Sequence, residues 1–238
     1  GGTDLFLAIR TCNTFLENID AVPDMNDFEK KRWAAEVKFL KAYYHFFLLR
    51  MYGPIPITDK NLPISSSPEE VKVYREPVDS CVDYIAALLD EAAVDLPDII
   101  TNEISEQGRV TKPAALAIKA RLLVMAASPL FNGNPDYSSM VDKRGMQLFS
   151  LKADPAKWQR AADACREAIE ASLAAGRSLY YYTPAAFVPG NISATTKTEM
   201  NIRNAFCEKW NPEIIWASTD NMASTVQRES LAWLYSSE

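Results

Sequence analysis

The sequence predicts a mainly α fold of irregular helical hairpins carrying a loop-rich cap with short strands. Three observations point there. Apolar residues recur every three or four positions over long stretches. Proline- and glycine-bearing turns separate those stretches. Alanines fall at regular points within them, at Ala35, Ala42, Ala86, Ala120, Ala162 and Ala168, where two helices can approach closely. The chain changes character after Leu179, which divides it into a helical scaffold over 1–179 and the start of a loop-rich region over 180–238.

The first helix is expected from about Asp4 to Ile19, with Leu5, Ile9, Cys12 and Leu16 on one face. The turn Ala21-Val22-Pro23-Asp24 stops it, because proline has no N–H to donate. The second helix starts near Asn26 or Asp27 and runs to about Met51, roughly 39 Å long. Trp33, Val37, Leu40, Tyr44, Phe47 and Met51 trace one face of it. Gly53 releases the chain, and Pro54 and Pro56 force Ile55 and Ile57 into a short strand or extended segment.

A polar loop over 61–75 leads to a third helix, about Glu76 to Leu96, with Val78, Val82, Ile85, Leu89 and Ala92 inward and Pro97 at its end. Thr111 caps a fourth helix with Pro113 in its first turn, where a missing N–H costs nothing. Leu116, Leu123, Ala127 and Leu130 mark its buried side. After an excursion over 134–155, a fifth helix is expected from about Pro155 to Ala175, with Trp158, Ala162, Cys165 and Ile169 inward and Gly176 just past its end. Glu199 to Lys209 reads as a short helix, and Glu213 to Ser218 as a strand. Alanine-contacted helix pairs resemble tetratricopeptide units. Their spacing of about 50 to 80 residues differs from the 34 of a regular array.

Composition excludes several classes. The formal charge is −6 and the pI about 5.0. No basic run exceeds Lys30-Lys31-Arg32, which argues against nucleic acid and against an anionic membrane surface. The four cysteines, at 12, 81, 165 and 207, form no C-x-x-C pair, and His45 is the single histidine, so a Cys/His metal site is not expected. Cys12, Cys81 and Cys165 sit among apolar neighbours and read as buried thiols. Asp136, Asp142, Asn132 and Asn134 do not match a calcium loop.

No catalytic constellation emerges, and no cofactor is implied. The carboxylate pairs Asp90/Glu91, Glu69/Glu70 and Glu103/Glu106 read as solvated surface charge. The sequence has no Gly-x-Ser-x-Gly elbow and no glycine-rich phosphate loop. The aromatic stripe Phe39, Tyr43, Tyr44, Phe46, Phe47 and Tyr52 reads as core, with His45 a satisfied histidine within it. A sugar site would need exposed loop aromatics beside planar polar groups. Two clusters meet that description. One is Tyr180, Tyr181, Tyr182 and Phe187; the other is Trp233 and Tyr235 near Asp220, Asn221, Gln227 and Arg228.

Two long segments, Ala34–Asp59 (AAEVKFLKAYYHFFLLRMYGPIPITD) and Gly108–Gly133 (GRVTKPAALAIKARLLVMAASPLFNG), resemble signature segments of the SusD/RagB family. The Asn211-Pro212-Glu213-Ile214-Ile215-Trp216 stretch is similar to a further strand of that family. The resemblance implies degenerate tetratricopeptide hairpins under a loop-rich region. It implies a surface lipoprotein of the bacterial outer membrane that binds glycan and passes it to a SusC-like TonB-dependent transporter. In that family the glycan site is an arc of loop aromatics, partly from the region after this strand. Trp233, Tyr235, Asp220, Asn221 and Arg228, with Tyr182, are therefore the expected ligand residues. The chain opens Gly1-Gly2-Thr3 without methionine and is expected to be an internal fragment, the lipid anchor belonging to an absent N-terminal part. Two alternatives stay open. A peptide-binding member of the family would present an acidic groove, and a helical-repeat scaffold would present a broad apolar patch.

Overall fold

The computed structural model describes residues 2–183 and 192–219. Seven α-helices occur among them: α1 (Gly2–Asn18), α2 (Asp27–Tyr52), α3 (Val78–Asp95), the single turn α4 (Glu103–Glu106), α5 (Lys112–Ala127), α6 (Ala156–Ala174) and α7 (Ala194–Cys207). The long helices stack serially: α1 on α2, α2 on α3, α3 on α5, and α5 on α6. The mainly helical, hairpin-built architecture is the expected one. Among the described residues no strand ladder forms; the extended pairings are two isolated bridges, Asn132 with Ser150 and Val141 with Gln147.

Local sequence sets the helix ends. The Asn26 side chain accepts from the Glu29 amide at 2.9 Å, and the Glu29 carboxylate accepts from the Asn26 amide at 3.3 Å. This reciprocal capping box satisfies two amides that the first turn leaves without partners. Thr111 takes the extended backbone of a cap, but its side chain makes no capping bond. Proline inside the first turn of α5 meets no penalty there, as expected. Gly133 has φ +81°, and a Cβ there would stand 2.3 Å from the Ala153 nitrogen, so only glycine fits.

The buried faces differ from the expected ones in two helices. On α2 the buried stripe is Ala35, Phe39, Ala42, Phe46 and Leu49, two residues on from the expected stripe and on nearly the opposite side. Trp33, Phe47 and Met51 are exposed. The cause is that α2 is flanked by α1 and α3, so apolar residues serve both sides and periodicity no longer marks one face. Trp33, for instance, stacks on Phe15 of α1 at 6.5 Å between centroids. On α6 the inward residues are Ala161, Ala164 and Ala168, one position before the expected set, while Trp158, Ala162 and Ile169 are exposed. Small side chains let α6 approach α5 closely; the bulky ones were a false guide. Leu130 is likewise exposed, and Phe131 takes the core position after α5. The α3 stripe from Val78 to Ala92 is buried as expected.

The segment 54–59 is extended and lies across the helices without joining a ladder. Ile55 is buried, and its carbonyl accepts the Glu76 amide at 2.9 Å. A polar network holds the rest of the segment. The buried Lys41 ammonium donates to the Asp59 carbonyl at 2.6 Å and to its carboxylate at 3.2 Å. The Tyr84 hydroxyl from α3 donates to the same carboxylate at 3.0 Å. From α1, the Asn13 amide donates to the Thr58 carbonyl at 3.2 Å. The Thr58 N–H donates to His45 Nε2 at 3.3 Å, which leaves Nδ1 to donate to the Lys41 carbonyl at 2.8 Å. His45 is thus the satisfied core histidine that the sequence suggests, held in one neutral tautomer.

The excursion over 134–155 is packed, not open. Phe131, Leu148 and Phe149 are buried, and Tyr137 stacks on Phe149 at 4.0 Å. Asp142 accepts from the Arg144 and Met146 amides and from the Arg144 guanidinium. Cys12 and Cys81 are buried thiols, and burial raises both above the ordinary thiol range, Cys81 to about 11. Cys165 is half-buried. No helix among the described residues is long and apolar enough to cross a membrane.

Burial pulls the His45 imidazole down to about 4, against 6.5 when solvated. Between those values the unfolded chain binds the proton and the folded chain does not, so stability falls as pH drops from 6.5 to about 4. The loss expected from His45 is up to about 3 kcal/mol. Carboxylates held low, such as Asp59, begin to withdraw their own contribution at the acid end of that window and lose most of it below. Urea denaturation across pH 7 to 4.5 should show the slope in the wild type and a flattened one in His45→Gln. An equally steep slope in the variant would contradict the assignment.

Candidate ligand cleft

The chain after α7 folds back onto the scaffold and completes a cleft of about 780 Å³. Asn211 directs the return. Its buried side-chain amide donates to the carbonyls of Ala205 and Glu208 and accepts the Glu213 amide. Residues 213–218 hold a turn, bends and irregular backbone in place of the expected strand, and among the described residues no neighbouring strand offers a ladder. Trp216 anchors the segment instead. Its ring meets Phe39 and Tyr43 edge to face, at 5.1 and 5.5 Å, and its Nε1–H donates to the Gly108 carbonyl at 3.0 Å.

Gly108 permits that approach. Its φ is +87°, and a Cβ there would stand 2.9 Å from the Thr219 methyl and 3.4 Å from the Ala217 carbonyl. The neighbouring Arg109 is fixed by a four-charge cluster. Its guanidinium donates twice to Glu36, both at 3.0 Å, and once to Glu106 at 2.5 Å. Arg32 makes a forked pair with Glu106 at 3.0 and 3.1 Å. Trp33 lies against the Arg109 guanidinium at 5.4 Å. The hydrogen bond from Arg32, then the two arginine charges, hold the Glu106 carboxyl below its usual range. Glu106 is therefore a structural partner, not the solvated charge that the sequence suggests; the other acidic pairs do lie at the surface.

The cleft is lined by Tyr43 of α2, Gln107 to Arg109, Ile118 and Arg121 of α5, and the 216–219 segment. Flat rings, a planar amide, guanidinium groups and hydroxyls meet here. This is the set that packs on a sugar ring and binds its hydroxyls. A second recess of about 370 Å³, lined by Ile169, Leu173, Leu179 and Ile215 among others, is chiefly apolar and lacks that set.

Of the expected ligand residues, Tyr182 alone falls among the described ones. Its amide donates to the Asn201 side chain of α7 at 2.7 Å, and it does not line the cleft. Nearby, the Tyr180 hydroxyl donates to Glu208 at 2.6 Å and Tyr181 is exposed. Trp233, Tyr235, Asp220, Asn221 and Arg228, with Phe187 and Gln227, lie outside the described residues. Asp220 and Asn221 directly follow the cleft residue Thr219 in sequence. Sequence reasoning missed Tyr43, Gln107, Arg109, Arg121 and Trp216. The usable signal was the single glycine at 108 beside an arginine, just before a helix.

This architecture of serially packed helical hairpins is that of the SusD-like proteins. The family described as SusD-like, starch-binding and associating with the outer membrane, matches residues 3–124, just over half of the chain. The chain belongs to the SusD-like family. SusD-like protein P25 of Formosa agariphila is 27% identical over 120 residues, covering 50% of this chain and 22% of that protein. The structure of BT4246 superposes with a TM-score of 0.77 at 36% identity, covering 92% of this chain and 40% of that one. A SusD-like protein from Bacteroides fragilis shares the fold, with a TM-score of 0.55 at 24% identity over 75% of this chain and 27% of its own. The chain thus spans about a fifth of the curated relative and two fifths of BT4246.

Alanine at 108 must adopt a positive φ and displace Thr219. Gly108→Ala is expected to cost about 1–3 kcal/mol. Because it loosens the Trp216 anchor, it should also move tryptophan emission to longer wavelength. Gly145→Ala is the control: its φ is also positive, +78°, but a Cβ there meets nothing within 4 Å. That variant should leave the emission unchanged. Equal emission shifts in the two variants would show that the Gly108–Trp216 contact does not hold the segment.

Proposed function

We propose that this chain is part of a protein that captures glycan at the bacterial cell surface and delivers it to a SusC-like TonB-dependent transporter, without catalysing a reaction. The observation that carries this reading is the aromatic-walled cleft, placed where the helical scaffold meets the returning segment of a SusD-like chain. The full protein would be held peripherally at the outer membrane by a lipid anchor. The division into a scaffold over 1–179 and a ligand-binding region from 180 belongs to the same proposal. Trp233 and Tyr235 would supply stacking faces, and Asp220, Asn221 and Arg228 would bind hydroxyls. Tyr182 would add a ring at the edge of the region. The peptide alternative calls for an acidic groove, and no carboxylate is among the described lining residues.

The test is a fluorescence titration of the full-length protein with soluble oligosaccharides of several classes and with a peptide digest. One glycan class should give a saturable change, with a Kd of order micromolar to millimolar. Trp233→Ala should weaken binding by about tenfold or more. A response to peptides alone would replace the glycan reading, and silence toward both would leave a scaffold role.

A further inference from the structure

We infer that the cleft selects an acidic sugar, one bearing a carboxylate or a sulfate ester, and that Arg121 is the residue that recognises its charge. The inference rests on the glycan-capture reading and names the class of glycan. Four observations support it.

First, two guanidinium groups and no carboxylate line the cleft among the described residues. That departs from the rest of a chain with net charge −6. Other surface clefts mix the signs: Asp20, Asp27 and Asp95 face Lys30, Lys31 and Lys38 in one, and Asp79, Asp83 and Asp154 face Lys157 and Arg160 in another.

Second, Arg109 is already engaged. Glu36 and Glu106 take three of its hydrogen bonds, and the cluster with Arg32 sums to zero charge. Arg109 forms a fixed wall and is not available to a ligand carboxylate.

Third, Arg121 is exposed and makes no ion pair or hydrogen bond among the described residues. Its neighbour Lys119 shows what the same helix does with a structural cation: Asp90 clamps it at 2.5 Å and Glu167 at 3.1 Å. Arg121 lies one turn after Ile118, which also lines the cleft.

Fourth, the partners around Arg121 suit a sugar acid. Tyr43 and Trp216 give ring surface, and Gln107 and Thr219 give neutral polar groups for hydroxyls. A planar guanidinium matches a carboxylate or sulfate through two parallel bonds, which an ammonium does not. In a protein of net negative charge, one uncompensated arginine in an acid-free cleft is what lets an anionic ligand approach.

The experiment is calorimetric titration of the full-length protein with neutral, uronate-bearing and sulfated oligosaccharides of equal length, at low and high salt. The acidic ligands should bind about tenfold tighter than the neutral one, with an advantage that shrinks as salt rises. Arg121→Gln should erase the advantage, weakening acidic binding far more than neutral binding, with the melting temperature unchanged; Arg121→Lys should restore only part of it. The uronate and sulfate arms separate the two possible acids. Neutral glycans binding as well as acidic ones, or an Arg121→Gln variant with intact acid preference, would overturn the inference and leave glycan capture standing. Failure of every oligosaccharide to bind would overturn both. Arg121-dependent binding of an acidic peptide alone would likewise overturn both.

Discussion

A lysine ammonium carried into the interior must find its counter-charge there, because a lone buried cation costs several kcal/mol. Lys41 finds it at Asp59, and the placement of the extended segment after α2 follows from that meeting. Asp59 lies on the extended segment after α2, so the pair ties that segment back along its own helix. Tyr84 reaches the same carboxylate from α3, and Asn13 and His45 hold the adjacent residue from α1 and α2. Burial alone would raise the Asp59 carboxyl, but the Tyr84 hydroxyl and the Lys41 charge outweigh it and hold it low. Three helices thus converge on one stretch of chain that has no ladder to fix it. Ile55 can then sit beneath it as a core residue, and α3 starts in a defined place.

The cleft is built by extending the same logic outward. Phe39 and Tyr43, on the helix that carries Lys41, receive the Trp216 ring. The Arg32–Glu36–Glu106–Arg109 cluster fixes the loop between α4 and α5 against α2. Gly108 then presents its carbonyl to Trp216. The scaffold therefore sets the position of the returning segment with apolar and ionic contacts that are already complete. Arg121, with no such contact among the described residues, stands apart from this framework.

Most of the helical scaffold was legible in the sequence. Helix boundaries followed from Asn26, Gly53, Pro97, Pro113 and Gly176, each of which acts through a local constraint on its own backbone. The inward faces were less legible. On α2 two neighbours consume the periodic signal, and on α6 the contact runs along alanines, whose burial leaves little trace in a hydrophobicity pattern. The extended signature after Gly53 was visible, but its network was not. Lys41, Asp59 and Tyr84 are ordinary residues until the fold brings positions 18 and 25 apart together. The cleft was least legible of all. Tyr43 reads as core because it is partly core, and Arg121 reads as one more surface cation. A cleft assembled from α2, α5 and a segment some hundred positions later has no contiguous pattern to find. Trp216 was visible as the aromatic of an expected strand, and its actual role depends on a carbonyl 108 residues earlier.

The bond from Trp216 to Gly108 ends on a main-chain carbonyl. Side-chain acceptors are erased by single codon changes, whereas every residue type carries a backbone oxygen. Genetic drift at position 108 can therefore spoil the presentation of the acceptor but never delete it. Its donor is equally hard to replace, since the indole N–H belongs to a ring that also packs edge to face on Phe39 and Tyr43. The returning segment is thus pinned at Trp216 to a reference point that side-chain substitution alone cannot remove.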